Sequence, residues 1–136
     1  MTVAARDVER EYRELWNEDF SKLDVVAESV DVSVPSMSDG EIHGRDAFEA
    51  YLRELRTGFS DWHVTVDDVL AGDGMVMKEW TVTATHEGEY NGIPPTHREM
   101  EGSGMAKILI RDGKMQEDRL YYDLQEVFEQ LGLTEE

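Results

Sequence analysis

Three side chains in the second half of this chain have the types and positions to do chemistry: Asp123, Arg119 and His86. Asp123 stands where an alternating apolar run, Lys114 to Tyr122, gives way to the helical pattern LQEVFEQLG. A carboxylate at the end of a strand, beside a pocket, is placed to move protons, and any chemistry here would hang on it. The same residue opens a D-x-x-E pattern (Asp123-Leu124-Gln125-Glu126), which reads equally as the N-cap of the closing helix. His86 ends the run Met75 to His86 (MVMKEWTVTATH). Its imidazole could polarise a ligand carbonyl, or it could simply close the strand through a backbone hydrogen bond. Arg119 suits an acidic or enolate-like ligand group, or a salt bridge to Glu117 or Asp123.

Other chemistries lack their residues. There is no cysteine, hence no disulfide, thiolate nucleophile or thiolate metal site. The four histidines, His43, His63, His86 and His97, have neither H-x-H nor H-E-x-x-H spacing, so no metal and no cofactor is expected. Gly102-Ser103-Gly104 lacks the outer glycines of a nucleophile elbow and reads as a strand bend, and Gly72-Asp73-Gly74 reads as a turn.

The elements that must position these groups follow from periodicity. Asp112-Gly113 between two alternating runs predicts a type I′ hairpin joining Arg98–Arg111 to Lys114–Tyr122. With Asp112 and Gly113 as the two turn residues, Ala106, Ile108 and Ile110 share the buried face with Met115, Glu117, Arg119, Tyr121 and Asp123. Arg119 and Tyr121 would then line a pocket together with Asp123. The opposite, outer face would carry Met105, Leu109, Leu120 and Tyr122, a candidate homodimer interface. Two further strands are expected at Trp62–Leu70 and Met75–His86, the latter with Trp80 inward.

Helices precede the strands. Val8, Tyr12, Leu15 and Trp16 recur at helical spacing in a helix from Val3 to about Phe20. A short helix is expected over Ser21–Val30, capped by Ser21, and a third over Arg45–Thr57, stopped by Gly58. Val32–Pro35 reads as a short sheet-edge piece and Ser36–Gly44 as loop. A last helix carries Leu124, Val127, Phe128 and Leu131 and ends at Gly132. Helices followed by a four-stranded antiparallel meander imply an α+β domain over residues 1–136, with helices covering one sheet face. Tyr12, Trp16, Trp62 and Trp80 would line an apolar cavity if one is open, and otherwise fill the core.

Thirty-one acidic residues face thirteen basic ones, only four of them lysine, for a net charge of −18. Such a surface repels phosphate backbones, so nucleic acid is not an expected partner. Abundant acid with scarce lysine predicts a halophilic protein, whose self-repulsion high salt would screen. No apolar run is long enough to span a membrane and the charged N-terminus shows no leader core, so a cytoplasmic location is expected.

Several stretches taken in order resemble the SnoaL-like polyketide cyclase (ester cyclase) family: Tyr12–Glu18 (YRELWNE), Phe59-Ser60-Asp61, Trp80–Gly88 (WTVTATHEG), Gly92–Thr96 (GIPPT), Asp112-Gly113-Lys114, and Tyr121–Asp123 leading into Gln130–Leu133. The resemblance implies the cone-shaped α+β fold shared by nuclear transport factor 2 and ketosteroid isomerase: a curved antiparallel sheet of four main strands, N-terminal helices over its concave face and a short C-terminal helix. It also implies a cofactor-free cyclase, isomerase or lyase acting on a small hydrophobic carbonyl compound, with Asp123 as general acid/base. Two positions depart from the family pattern. The strand before the Asp-Gly-Lys turn lacks the assisting histidine, and position 119, often tryptophan in relatives, is Arg119. A ligand-binding or dimer-forming module without turnover is the competing expectation.

Overall fold

The computed structural model describes residues 4–35, 40–90 and 92–133. Val3, residues 36–39 of the expected loop, and Asn91 in the glycine- and proline-punctuated excursion lie outside the described residues. Helix α1 (Ala5–Trp16) buries Val8, Glu9, Tyr12, Leu15 and Trp16, one stripe at helical spacing with a carboxylate inside it. Helix α2 (Arg45–Gly58) buries Phe48, Leu52 and Leu55 on its own stripe.

Between them the chain departs from expectation. A short 3-10 turn spans only Phe20–Val25, capped by Asp19, whose carboxylate accepts from the Ser21 N–H at 3.2 Å. Strand β1 (Val26–Ser33) then replaces the expected helix. Val26, Val30 and Val32 are all buried. These β-branched residues gain more by packing against a neighbouring strand than by continuing a helix. Nor is this piece an edge: β2 (Glu41–His43) pairs along its outer side. Pro35 lies beyond the strand, where no ladder bond is lost.

The sheet has six strands in the order β2-β1-β6-β5-β4-β3. β3 (His63–Gly72), β4 (Met75–Thr85), β5 (Glu99–Arg111) and β6 (Lys114–Tyr122) form the expected antiparallel meander. β1 joins β6 in parallel, so the sheet is mixed. The hairpin turn has φ of 56° at Asp112 and 74° at Gly113, the positive pair that a type I′ turn requires. Helix α1 packs on β3, β4 and β6, and α2 on β1 and β2, closing the core against one sheet face. Helix α3 (Leu124–Leu131) lies against β5 and ends at Gly132 in the left-handed conformation.

One irregularity governs the site. In the β5–β6 hairpin Ile110 pairs with Met115, but Leu109 pairs with Glu117, leaving Gln116 as an extra residue. A bulge of one residue exchanges the two faces of everything beyond it. Asp118, Leu120 and Tyr122 therefore join Ala106 and Ile108 on the inner side, while Glu117, Arg119 and Tyr121 turn outward. A second bulge on β3, between Val66 and Asp68, realigns that edge strand. Each bends its strand locally.

Two side-chain amides pin the assembly. The Asn17 amide donates to the Val64 carbonyl at 2.9 Å and accepts from the Val64 N–H at 2.7 Å, standing in for a missing strand along β3. The Gln130 amide does the same for Glu101 of β5, accepting at 2.7 Å and donating at 2.8 Å. β6 ends its pairing with β5 at Gly104, so Glu101 lies past its reach and α3 completes the ladder instead.

Candidate active site

A cavity of about 460 Å³ opens between the sheet, helix α3 and the aromatic residues of the N-terminal half. Its walls are mostly apolar, as small-molecule sites are. Trp16, Trp62 and Trp80 line it, with Phe59, Tyr122 and Phe128. Trp16 stacks on Trp62 with ring centroids 6.3 Å apart, and Trp80 meets Tyr122 edge to face at 5.7 Å. Burial first, and then the neighbouring Tyr90, push the Tyr122 hydroxyl up to about 12, so it stays a neutral hydrogen-bonding group.

His86 is the cavity's buried titratable wall residue, 1% exposed. Its backbone does close the strand: His86 N–H donates to the Arg98 carbonyl at 3.0 Å and its own carbonyl accepts from His97 N–H at 2.9 Å. The side chain is held separately. Thr96 N–H donates to His86 Nδ1 at 3.3 Å, and the Thr96 hydroxyl lies 3.1 Å from the same nitrogen. With Nδ1 accepting, the neutral ring carries its proton on Nε2. Nε2 is buried and has no partner among the described residues. The ring is fixed from behind by Phe59, stacked at 5.1 Å. A donor N–H without a partner on an apolar cavity wall is what a ligand carbonyl would meet.

Asp123 reaches the cavity's rim but is solvent-exposed. Its Oδ1 accepts from the Glu126 N–H at 3.2 Å, the geometry of a helix cap. Tyr12 does not line the cavity. It is wholly buried beneath it, packed on Trp16 and Phe48. Arg119 and Tyr121 are a correction to the sequence reading, because the Gln116 bulge turns both to the outer face. Arg119 pairs with Glu117, its side chain 56% exposed, and Tyr121 is 57% exposed. The structure thus gathers Trp16, Trp62, Trp80, His86 and Asp123 around one space and leaves out Tyr12, Arg119 and Tyr121. Among the described residues no three His, Asp or Glu side chains converge as metal ligands would.

Beneath the cavity floor lies a polar cluster that the sequence reading missed. The Tyr12 hydroxyl donates to Asp118 Oδ2 at 2.6 Å. Lys78 Nζ lies 3.4 Å from Glu9 Oε2 and 5.4 Å from the centre of the Tyr12 ring. Arg13 forks onto the Glu9 carboxylate from the rim. Burial pushes the Asp118 carboxyl up to about 6, with the Lys78 ammonium and the Tyr12 hydroxyl restraining the rise. Burial also raises Glu9, but Arg13 and Lys78 outweigh it and hold that carboxyl below its usual value. Two of these groups carried a signal. Glu9 sits within the apolar stripe of α1, and Lys78 shares the inward parity of Val76 and Trp80. Asp118 gave none, since only the bulge brings it inside.

The comparisons agree with this geometry. The SnoaL-like polyketide cyclase family model matches residues 6–131, and the chain belongs to that family. Among solved structures it is similar to IdmH of Streptomyces antibioticus, a candidate polyketide cyclase, at 24% identity over 93% of this chain and 97% of the other, with a TM-score of 0.80. TsrD of Streptomyces laurentii aligns at 21% identity over 95% of each chain, TM-score 0.81. A candidate polyketide cyclase of Xanthomonas campestris pv. campestris aligns at 23% over 93% and 96%, TM-score 0.78. Likeness at these identities establishes the shared fold. No curated protein matches the chain.

Proposed function

We propose that this protein, folded as one domain over residues 1–136, is a cofactor-free acid/base enzyme of cyclase, isomerase or lyase type. Its substrate is a small, largely apolar carbonyl compound held in the cavity. The observation that carries this reading is His86: a buried imidazole with Nδ1 occupied by Thr96 and Nε2 without a partner on the cavity wall. His86 Nε2–H would polarise the ligand carbonyl, stabilising the enolate that forms when an α-proton leaves. Asp123, at the rim, is the carboxylate available to take that proton. Trp16, Trp62 and Trp80 exclude water from the developing charge.

The position of Asp123 also favours a second reading. A carboxylate that is exposed and engaged in capping is a poor resident base, which suits a module that binds the same ligands without turning them over. Deuterium incorporation separates the two. Incubated in D2O with a cyclic ketone such as 2-tetralone, the wild type is expected to exchange the α-protons faster than buffer, and His86→Phe to lose that acceleration. Retained acceleration in His86→Phe would remove His86 from the mechanism, and binding without exchange would establish the carrier.

The outer sheet face supports a homodimer. Leu70, Met77, Met105 and Tyr121 stand exposed there on four consecutive strands, with Lys107 and Glu79 among them; Leu120 and Tyr122, expected on this face, lie inside because of the bulge. A cytoplasmic, salt-adapted protein is the setting that the acidic composition favours. Among the described residues no helix is long and apolar enough to cross a membrane.

A further inference from the structure

Among the described residues, four buried side-chain polar atoms lack a hydrogen-bond partner: Trp62 Nε1, Trp80 Nε1, His86 Nε2 and Asp118 Oδ1. His86 belongs to the cavity wall already described. The other three residues share a different space. A void of about 30 Å³, room for one oxygen atom, is lined by Asp118, Trp62, Trp80, Lys78 and Ala106. It shares Trp16, Trp62, Trp80 and Leu120 with the large cavity. The two spaces therefore lie on either side of the same side chains.

Leaving three buried polar atoms unpaired forfeits their hydration with nothing in its place. Their chemistry says what would relieve the cost. An indole N–H only donates. Asp118 Oδ2 already accepts the Tyr12 hydroxyl, and the Lys78 ammonium favours the ionised carboxylate, so Oδ1 is an acceptor. With the Lys78 ammonium engaged by Glu9, the unpaired atoms left at the site are two donors and one acceptor. A hydroxyl group offers the complement, one O–H donor and two lone pairs. A carbonyl or an ether would leave Oδ1 unpaired, and an ammonium would leave both indoles unpaired.

We infer that Asp118, Trp62 and Trp80 form a hydroxyl-binding subsite at the inner end of the cavity, selecting ligands that carry an alcohol, phenol or enol. This rests on reading the cavity as a ligand site and adds the substrate class: an apolar hydroxy-carbonyl compound with its carbonyl at His86 and its hydroxyl at Asp118.

The test compares 2-naphthol with its methyl ether by calorimetric titration of the full chain, while the indole N–H resonances are followed by NMR. The ether is the more apolar of the two, so simple hydrophobic partitioning favours it. The expected result is naphthol binding at least tenfold tighter, with the Trp62 and Trp80 indole protons moving downfield. Asp118→Asn should shrink that preference several-fold, since a neutral acceptor is about half as strong as a charged one. Should Asp118→Asn not fold, Trp62→Phe removes one donor and should lower the preference in the same way. Equal affinity for both probes, as expected if water alone fills the void, overturns the subsite and leaves the cavity reading standing. A naphthol preference that survives these variants, or that leaves both indole protons unmoved, also overturns it. Binding of neither probe overturns the subsite and the cavity reading together.

Discussion

The hydroxyl of Tyr12 donates to Asp118 Oδ2 at 2.6 Å, joining α1 to β6 across 106 positions of sequence in the middle of the core. This bond and the raised Asp118 carboxyl make stability depend on pH with a definite sign. The carboxyl titrates near 6 in the folded protein against 3.8 when free. A carboxyl raised on folding contributes stability that is full below the unfolded value and is lost as pH climbs through the folded one. The total is about 3 kcal/mol at ~1.4 kcal/mol per pH unit. Denaturant unfolding of wild type and Asp118→Asn side by side cancels the other groups. Wild type should lose ground to the variant as pH rises, with roughly half of the change falling between about pH 5 and pH 8. Tyr12→Phe strips the carboxylate of its neutral donor and should cost about 2 kcal/mol at pH 8. A pH-independent difference between wild type and Asp118→Asn would mean that the buried carboxyl does not titrate in this range.

Gly104 is a position beside the cavity where a side chain would not be tolerated. A Cβ there would stand 2.7 Å from Trp80 Cζ2 and 2.3 Å from the Tyr121 carbonyl oxygen. The indole can yield a little; the backbone of β6 cannot without disturbing the strand that carries Asp118 and Tyr122. Gly104→Ala should therefore destabilise by about 3 kcal/mol, the upper end for overpacking. Urea unfolding monitored by tryptophan emission is the check.

How far the sequence exposed the site depends on which residue is followed. Trp80 was legible because Val76, Trp80, Val82 and Ala84 share one parity, interrupted only by Lys78, and the α3 stop at Gly132 because its backbone freedom suits the left-handed turn there. The inward face of β6 was not legible. Gln116 has no property that marks it as bulged, yet one unpaired residue sent Arg119 and Tyr121 outside and Asp118 in. The helix expected over Ser21–Val30 failed for another reason. Its valines fit either period, and the deciding contact is a parallel partner, β6, nearly ninety positions away. Local patterns record local preferences; register across a bulge and pairing at long range are settled by the whole sheet.

The outer face should hold two chains together. Met105 pairs with Tyr121 and Glu79 across neighbouring strands, so an acidic residue at 105 would set like charges side by side within an apolar patch. Met105→Glu is expected to turn a dimer into a monomer in sedimentation experiments at high salt. Wild type that sediments as a monomer throughout the micromolar range would remove the interface.

A net charge of −18 on 136 residues predicts steep salt dependence. The melting temperature should climb as KCl is raised from millimolar to molar. Screening accounts for the rise only at modest salt, because the Debye length is already about 3 Å at 1 M. A flat profile would identify an ordinary acidic protein.

Asp123 is the residue on which the two functional readings part. Its carboxylate accepts the Glu126 N–H, and among the described residues no other side chain caps the start of α3. Asp123→Asn retains a capping oxygen at nearly the same volume, whereas Asp123→Ala does not. The Asn variant should keep its stability at neutral pH, and the Ala variant should lose about 1 kcal/mol. Since α3 closes one side of the cavity through Leu124, Val127 and Phe128, Asp123→Ala should also weaken ligand binding by loosening that wall. Proton transfer depends on a different property, the carboxylate itself. If Asp123 takes the α-proton, deuterium exchange falls to the buffer rate in both variants, although only one of them is destabilised. If Asp123 only caps, exchange in Asp123→Asn equals wild type, and whatever loss Asp123→Ala shows follows its weaker binding. Exchange rates and unfolding midpoints measured on the same two variants assign the residue to one role or the other.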